Sequence, residues 1–339
     1  MGMTKLGMKK LGMTKFRAAA FLVALVAILA PWATPSQAQT APKDWPNRPV
    51  KFIIPFGPGA GADIGARLLI EPLQARWGKP LVIENRPGGD SMVAIQAFLS
   101  ANDDHTLLWG PSGNFTVHPF LYDKLPYNPA DLVPIARFSN TILAVGTPAA
   151  MNFKDLKDFV DRGLKEPGKW NGTAVPGVTD FAFDYFAKTA GLQIQKIAYK
   201  DTVQAATDVG EGRIQVYASS YAILRPQTEA GRIKVLAVMG PQRAPSLSDL
   251  PTATEAGYPN LTMEGLVGLF GLKSMSPELM AKIGADILAV GKDKAIEARL
   301  ATTAQTLNLG GPKEFTASIE AQRNQIANIA KTVGTKKQQ

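Results

Sequence analysis

A glycine-rich segment is the strongest chemical pattern in the chain. Gly57-Pro-Gly-Ala-Gly-Ala-Asp63 lies between a run of β-branched residues and a segment with helical spacing, so we expect it to join a strand to a helix. Glycines let the main chain approach a ligand closely, and the first amides of a helix carry positive partial charge. The segment therefore predicts an anion site, and a tight turn in which Asp63 caps the helix is the structural alternative.

The same segment also fits a relaxed dinucleotide fingerprint through Gly57, Gly59 and Ala62. Glu84, at the end of the next predicted strand, stands where a ribose-binding acid would lie. This pattern is typical of a Rossmann NAD-dependent oxidoreductase. Pro58, however, lacks an amide for a pyrophosphate, and the aspartate that ends the segment would repel one. We therefore expect no cofactor and keep the oxidoreductase as the weaker alternative.

A second loop, Gly110-Pro-Ser-Gly-Asn114, follows another predicted strand. Ligands bind outside the carboxyl ends of strands in open α/β sheets, so two such loops can hold one anion between them. Ser112 is not expected to be a nucleophile, because Asn114 stands where the elbow pattern G-x-S-x-G requires glycine. We expect His105 and His118 to lie in packing or at the surface. The chain is thus predicted to bind a ligand and not to be an enzyme.

Composition narrows the remaining chemistry. The 339 residues include no cysteine and two histidines, which rules out disulfides, thiol nucleophiles and cysteine-ligated metals and predicts no metal site. Hydrophobic residues make up 45% and charged residues 19%, as in an ordinary globular protein. The length favours two lobes, since single cores stop growing at about 250–300 residues.

The first 38 residues predict a secretory signal peptide. Five basic residues precede an apolar run of 13 residues at 18–30, and Ser36-Gln-Ala38 supplies a small-x-Ala exit. A membrane span needs about 20 apolar residues, so the run is too short to cross. We expect cleavage after Ala38 and a periplasmic protein. Removing this segment lowers the formal charge from +9 to +4, with 32 basic against 28 acidic residues, so we expect no nucleic-acid partner.

Repeated strand–loop–helix units position the two loops. Strands are predicted near 49–56, 80–84 and 106–109, each followed by a loop, with helices near 64–77 and 91–100. Short strands and helices continue to residue 238, and helices are predicted at 277–301 and 313–332. This pattern favours an α/β fold with mostly parallel sheets.

Several short motifs resemble, in order, those of the substrate-binding proteins of tripartite tricarboxylate transporters, also called the Bug family. The motifs are Trp45-Pro-Asn-Arg-Pro-Val-Lys-Phe-Ile-Ile-Pro-Phe56, Glu84-Asn-Arg-Pro-Gly88, Leu125-Pro-Tyr127, Ala198-Tyr-Lys200, Glu229-Ala-Gly231, Leu250-Pro-Thr252 and Glu255-Ala-Gly257. The resemblance implies a type II periplasmic-binding-protein-like fold, α/β, with two lobes and a hinge. The pattern of strands and helices along the chain sets the boundaries near 142 and 240, which gives lobe 1 at 47–142 plus 240–339 and lobe 2 at 143–239.

The resemblance also implies a function. Family members bind small carboxylates in the cleft between the lobes and deliver them to the membrane permease subunits of the transporter. We therefore expect a monomer that binds a small organic carboxylate. An exported protein that senses its ligand by docking to a receptor is the alternative that the sequence leaves open.

Site residues are carried over from the family by position. In the first lobe, two loops would hold one carboxylate mainly through main-chain amides, hydroxyls and water, and the second lobe would close on the rest of the ligand. The expected ligand-binding residues are Phe56, Gly57, Gly59, Gly61, Ala62, Asp63, Ser112, Asn114, Phe115, Thr179, Asp180, Phe181, Ser219 and Ser220.

The chain departs from the family pattern at several of these positions. Ala60 and Ala62 stand where the family often has glycine or a hydroxyl, and Asp180 stands where histidine or a neutral residue is common. Four aromatic residues near the loops could line a flat slot, which would suit an aromatic carboxylate such as terephthalate, or they could pack the lobe cores. These are Phe56, Phe115, Phe181 and Tyr221. A linear dicarboxylate is the competing ligand.

Overall fold

The computed structural model of the protein describes residues 1–2, 44–199 and 201–334. One unit of the chain, Met1–Thr40, lies almost wholly outside these residues, and the other, Ala41–Gln339, contains the elements given below. The predicted signal peptide and its cleavage after Ala38 therefore lie outside the described residues.

Eleven strands and eleven α-helices are described in the second unit. The strands are β1 (Val50–Ile54), β2 (Leu81–Asn85), β3 (Thr106–Pro111), β4 (Leu132–Thr141), β5 (Leu143–Pro148), β6 (Trp170–Ala174), β7 (Ile194–Lys196), β8 (Val216–Ser220), β9 (Ile233–Val238), β10 (Gly265–Leu272) and β11 (Gln305–Gly310). The helices are α1 (Gly61–Leu68), α2 (Ile70–Trp77), α3 (Met92–Ala101), α4 (Gly113–Leu121), α5 (Leu156–Lys165), α6 (Val178–Thr189), α7 (Thr202–Gly210), α8 (Tyr221–Glu229), α9 (Pro277–Gly291), α10 (Lys294–Ala301) and α11 (Pro312–Val333).

The strands form two mixed sheets. The first has the order β11-β4-β10-β3-β1-β2 and the second the order β7-β6-β8-β5-β9. Parallel pairs join β1 to β2 and β3, and β6 to β7 and β8. Antiparallel pairs occur at the strands that lead from one sheet to the other. One of these is β10, which returns to the first sheet and lies between β3 and β4, antiparallel to both. Parallel pairing is thus less dominant than the strand–loop–helix pattern predicted.

Local sequence explains many of these elements. β1 reads Val-Lys-Phe-Ile-Ile and is buried along nearly its whole length, as β-branched strands covered on both faces are. α5 begins where the Asp155 side chain accepts a hydrogen bond from the Asp158 amide, and α2 ends at Gly78, whose φ is +64°. The predicted helices at 64–77 and 277–301 each divide into two, at Leu69 and around Lys292.

Each sheet has its own hydrophobic core, and three segments connect the two. Ile142 alone separates β4 from β5, and residues 239–264 lead from β9 back to β10. Helix α11 contributes Phe315 and Ile319 to the core of the first sheet and Ile326 and Ile329 to the core of the second. Both sheets are therefore completed by parts of the chain that lie far apart in sequence.

Candidate functional site

The first loop is held from within by a buried carboxylate. Asp63 Oδ2 accepts hydrogen bonds from the Gly59 amide at 2.9 Å and from Arg67 Nε at 2.8 Å, and Oδ1 accepts one from Asn85 Nδ2 at 2.9 Å. Burial raises the pKa of Asp63, but these hydrogen bonds outweigh it and hold the pKa below its usual value. Both carboxylate oxygens thus face the protein and fix the loop.

The glycines of this loop leave its main chain open. Added side chains at Gly57 and Gly59 would meet no other atoms, and Gly59 has a φ of +87°, which favours glycine. Gly61 and Ala62 begin α1, and the Gly61 carbonyl accepts a hydrogen bond from Gln305 Nε2 at 2.7 Å. The Ala60 side chain provides no cap, so the first amides of α1 point outward without an intrahelical acceptor.

The second loop presents main chain, while its serine is engaged internally. Ser112 is fully buried; its amide donates to the Leu266 carbonyl at 2.9 Å and its hydroxyl to Gln322 Oε1 at 3.1 Å. Helix α4 begins at the next residue without a side-chain cap. The side chains of Asn114 and Phe115 lie outside the described part of the chain. The amides that open α4 are therefore the donors that this loop offers.

Helix α6, which follows β6 of the second sheet, meets α4 at its first residue. A Cβ added to Gly113 would lie 2.9 Å from Val178 Cγ1, so the first residues of these two helices are in contact. Thr179 is buried, and Phe181 is 3% exposed and packs in the core of the second sheet. The Phe181 ring therefore acts in packing, whereas Phe56 and Tyr221 are half-buried.

Asp180 is paired with a lysine of β7. Lys196 forms ion pairs with Asp180 and with Asp184, whose Oδ1 lies 2.8 Å from Lys196 Nζ. All three side chains are partly exposed. The negative charge of Asp180 in the first turn of α6 is thus offset by an adjacent ammonium group.

The end of β8 adjoins the crossing between the sheets. Ser219 and Ser220 pair with Ala144 and Leu143 of β5, and Ser220 precedes α8 without capping it through its side chain. The Tyr221 amide donates to the Ile142 carbonyl at 2.8 Å. Ser219 is fully buried and Ser220 is half-buried, so both predicted contacts lie beside the connecting strand.

Four helices thus begin without a side-chain cap, and each of them follows the carboxyl end of a strand. α1, α4, α6 and α8 follow β1, β3, β6 and β8, and none has a hydrogen bond from a side-chain cap. Side chains cap α5, α7, α9 and α10, while α2, α3 and α11 also begin without a side-chain cap. Because β1 is parallel to β3 and β6 to β8, the uncapped starts form two pairs, joined by the contact between Gly113 and Val178. Each helix end carries about half a positive charge, so this arrangement attracts anions.

Several supporting residues were missed in the sequence. Asn85 holds the first loop through the Phe56 carbonyl as well as Asp63, and it belongs to the Glu84-Asn-Arg-Pro-Gly88 motif. Gln322 is a buried polar residue within an otherwise apolar stripe of α11, a pattern visible in the sequence. Their contacts join residues up to 210 positions apart, which no local pattern reveals.

Other residues considered for chemistry are engaged in packing or ion pairs. His118 is fully buried, with Nδ1 2.7 Å from the Tyr127 hydroxyl and Nε2 3.2 Å from the Asp90 carboxylate. His105 is 3% exposed. Glu84, the ribose ligand in the dinucleotide alternative, forms ion pairs with Lys51 and Arg86.

No metal or membrane-spanning feature is found in the part of the chain that the structure describes. Among those residues, no group of histidine and acidic side chains could hold a metal ion. Within the same ranges, no helix has the length and apolar character to cross a bilayer.

A cavity of about 410 Å³ borders the crossing between the sheets and is lined in part by residues 140–143.

The chain is similar in sequence to a known family and to several of its relatives. Residues 65–333 match the family model described as the tripartite tricarboxylate transporter family receptor. A UPF0065 protein of Bordetella bronchiseptica is 26% identical over 314 residues, covering 92% of this chain and 91% of the relative. The protein BugT of Bordetella pertussis is 25% identical over 309 residues, covering 90% and 94%.

Solved structures share the fold. A periplasmic transporter with 27% identity superimposes with a TM-score of 0.74, covering 86% of this chain and 99% of that one. An R. palustris protein solved with adipate has 24% identity and a TM-score of 0.76, covering 87% and 100%. MatC of Rhodopseudomonas palustris with bound malate has 21% identity and a TM-score of 0.69, covering 85% and 100%. These likenesses confirm the predicted two-lobe α/β fold of a periplasmic binding protein.

Proposed function

Because the chain belongs to the tripartite tricarboxylate transporter receptor family, whose members are solute-binding receptors, we propose that it captures a small organic carboxylate between its two lobes. The observation that carries this proposal is the set of four uncapped helix starts, α1, α4, α6 and α8, at the shared edges of the sheets. Hydrogen bonds from amides to a charged acceptor contribute about 1.5–3 kcal/mol each, so a few of them suffice for specific binding.

The first lobe holds the carboxylate in this proposal. The amides of residues 57–63 and 113–115 would donate to its two oxygens, while Asp63 and Ser112 support these amides from the protein side. The second lobe would close on the rest of the ligand through residues 179–181, 219 and 220. We also propose the division into lobe 1, residues 47–142 and 240–339, and lobe 2, residues 143–239.

The ligand class is a mono- or dicarboxylate. Solved neighbours carry adipate and malate, which supports a linear dicarboxylate. Phe56 and Tyr221 are half-buried near the helix starts and would suit an aromatic acid such as terephthalate. Lys196, next to Asp180 on the second lobe, offsets the charge that would otherwise repel a distal carboxylate.

The protein would act as a monomer in the periplasm and deliver its ligand to the membrane permease subunits of a tripartite transporter. Closure of the lobes would bury the ligand and present a changed surface to the permease. Export would remove the first 38 residues, so mass spectrometry of the protein purified from the periplasm should show Gln39 as its first residue.

Thermal-shift and calorimetric titrations with adipate, malate and terephthalate test the proposal. A ligand at one hundred times its dissociation constant should add about 2.7 kcal/mol of stability, which raises the melting temperature by several degrees. Adipamide and terephthalamide are matched controls that keep the carbon skeleton and lack the charge. Equal responses to acids and amides, or no response to any of the three acids, would refute carboxylate binding.

A further inference from the structure

Helix α11 carries one polar residue in a buried apolar stripe. Phe315, Ile319, Gln322, Ile326 and Ile329 follow one another at spacings of four and three residues, and all five are buried. Phe315 and Ile319 pack in the core of the first sheet, whereas Ile326 and Ile329 pack in the core of the second. Gln322 therefore lies where the helix passes from one core to the other.

The side-chain amide of Gln322 forms hydrogen bonds with residues on two different segments of the chain. Its Oε1 accepts a hydrogen bond from the Ser112 hydroxyl at 3.1 Å and lies 3.1 Å from the Thr116 hydroxyl, whose single proton it shares with the Gly113 carbonyl at 3.1 Å. Its Nε2 donates to the Glu264 carbonyl at 2.9 Å. Rotating the amide by half a turn would bring two carbonyl oxygens together at Glu264, so these bonds fix its orientation.

These partners connect the ligand loop to the crossing between the lobes. Ser112 and Thr116 flank the start of α4, whose amides are the proposed donors to the carboxylate. Glu264 directly precedes β10. Its side-chain Oε1 accepts a hydrogen bond at 2.8 Å from Nδ2 of Asn140, a residue that lies two positions before Ile142. Hydrogen bonds thus run from α4 through Gln322 to Glu264, at the end of the connecting segment 239–264, and the Glu264 side chain is bonded in turn to Asn140, near the end of β4.

We propose that Gln322 is a positioning residue that holds the start of α4 in its carboxylate-binding orientation relative to the connecting segment 239–264. This inference rests on the proposed function. Binding depends on donors that are already aligned, because a misplaced amide loses its hydrogen bond to the ligand while the cost of ordering remains. Gln322 itself touches no ligand in this account and acts through Ser112 and Thr116.

A role in packing alone predicts a different outcome. If Gln322 contributes to packing and stability alone, its replacement lowers the free energy of unfolding, because the Glu264 carbonyl loses its donor, and the folded protein binds its ligand as before. Gln322→Met keeps the length of the side chain and removes its three hydrogen bonds. If Gln322 positions α4, this variant should fold and yet bind more weakly.

The first experiment compares Gln322→Met with Gln325→Met by calorimetric titration of adipate, malate and terephthalate. Gln325 is exposed on the same helix and donates to the Thr262 carbonyl at 2.8 Å, so it is the same residue type with a similar hydrogen bond to a different segment. We expect at least a tenfold rise in Kd for Gln322→Met and less than a twofold change for Gln325→Met. Thermal melts and circular dichroism report whether each variant is folded.

The second experiment uses Gln322→Glu and pH. A protonated glutamic acid can accept from the hydroxyls and donate to the Glu264 carbonyl as the amide does, whereas the ionised form cannot donate. The ratio of the variant's Kd to that of the wild type should therefore be near one at about pH 5 and rise at least fivefold toward about pH 9. His118, Asp90 and the Glu264 carboxylate are present in both proteins, so the ratio removes their effects.

Each outcome decides one of the two proposals. If the wild type binds none of the three acids, the proposed function fails and the positioning role falls with it. If the wild type binds and Gln322→Met binds equally well, or if the Gln322→Glu ratio stays constant with pH, only the positioning role is refuted. Should Gln322→Met not fold, the pH dependence of Gln322→Glu decides alone.

Discussion

Replacing Asp63 with asparagine should destabilise the protein and weaken its ligand binding together. The side chain is 1% exposed and accepts from Gly59, Arg67 and Asn85. In Asp63→Asn one oxygen becomes an NH2 group that must face either the Gly59 amide or the Asn85 amide group. Asn85 cannot rotate to compensate, because its Nδ2 also donates to the Phe56 carbonyl at 2.8 Å.

The magnitude follows from these contacts. A buried donor without an acceptor costs about 1–3 kcal/mol, and the remaining bonds lose the strengthening that the charge provided, so the total loss is about 2–4 kcal/mol. The ion pair with Arg67 adds little, because the Arg67 side chain is 45% exposed. Such a loss should lower the melting temperature by roughly 5–15 °C.

The pH dependence gives a second measure. The folded pKa of Asp63 is lowered, so its stabilisation is present above the unfolded pKa of about 3.9 and is lost as the pH falls toward the folded value. Urea denaturation should show the full difference between wild type and Asp63→Asn at neutral pH and a smaller difference below about pH 4.

Asp103→Asn is the matched control for binding. Asp103 also has a lowered pKa, because hydrogen bonds from the His105 and Thr106 amides and from Arg48 outweigh its desolvation by burial, but it lies before β3, at the opposite edge of the sheet. We expect adipate affinity to fall about tenfold in Asp63→Asn, the loss of roughly one hydrogen bond, and to stay unchanged in Asp103→Asn. Wild-type stability in Asp63→Asn at neutral pH, or a difference that persists unchanged in acid, would contradict the reasoning.

Three further predictions concern other parts of the molecule. Gly113→Ala places a methyl group 2.9 Å from Val178 Cγ1, so it should separate the starts of α4 and α6 and weaken adipate binding, while adding Val178→Ala should restore the affinity measured by calorimetry. Asp286→Ala leaves the buried Trp77 indole N–H without its acceptor at 2.9 Å, so urea denaturation should show a loss of about 1–3 kcal/mol while adipate affinity is unchanged; a drop in affinity would contradict this placement. NADH should not bind, and energy transfer from tryptophan to NADH would revive the dinucleotide alternative.

The sequence predicted the first half of the fold better than the second. Apolar β-branched runs gave β1, β2 and β3 and placed the two loops at their carboxyl ends. Strand β10 was missed because it reads Gly-Leu-Val-Gly-Leu-Phe-Gly-Leu, and glycine is unfavourable in strands. The structure explains Gly268, since a Cβ there would lie 2.3 Å from the Ala136 carbonyl oxygen. That constraint comes from Ala136, 132 residues earlier, which no local sequence window contains.

The site was predicted by position more than by role. Residue types indicated that Asp63 and Ser112 lie at the two loops, but their polar atoms bond to Asn85 and Gln322 inside the protein. A side chain's type does not tell which way it points when the deciding partner is distant in sequence. The donors that remain outward are main-chain amides, which every residue except proline carries and which the sequence therefore cannot single out.

The insertion of β10 between β3 and β4 sets the order in which the molecule can form. When only the first 260 residues have been synthesised, both neighbours of β10 are present but β10 itself is not. The last strand of that sheet, β11, ends only at Gly310. Such long-range pairing folds slowly, because the closure of large loops precedes the contacts that reward it. The first sheet should therefore stay incomplete until synthesis is nearly finished, which leaves time for a chaperone to bind the chain before that sheet forms.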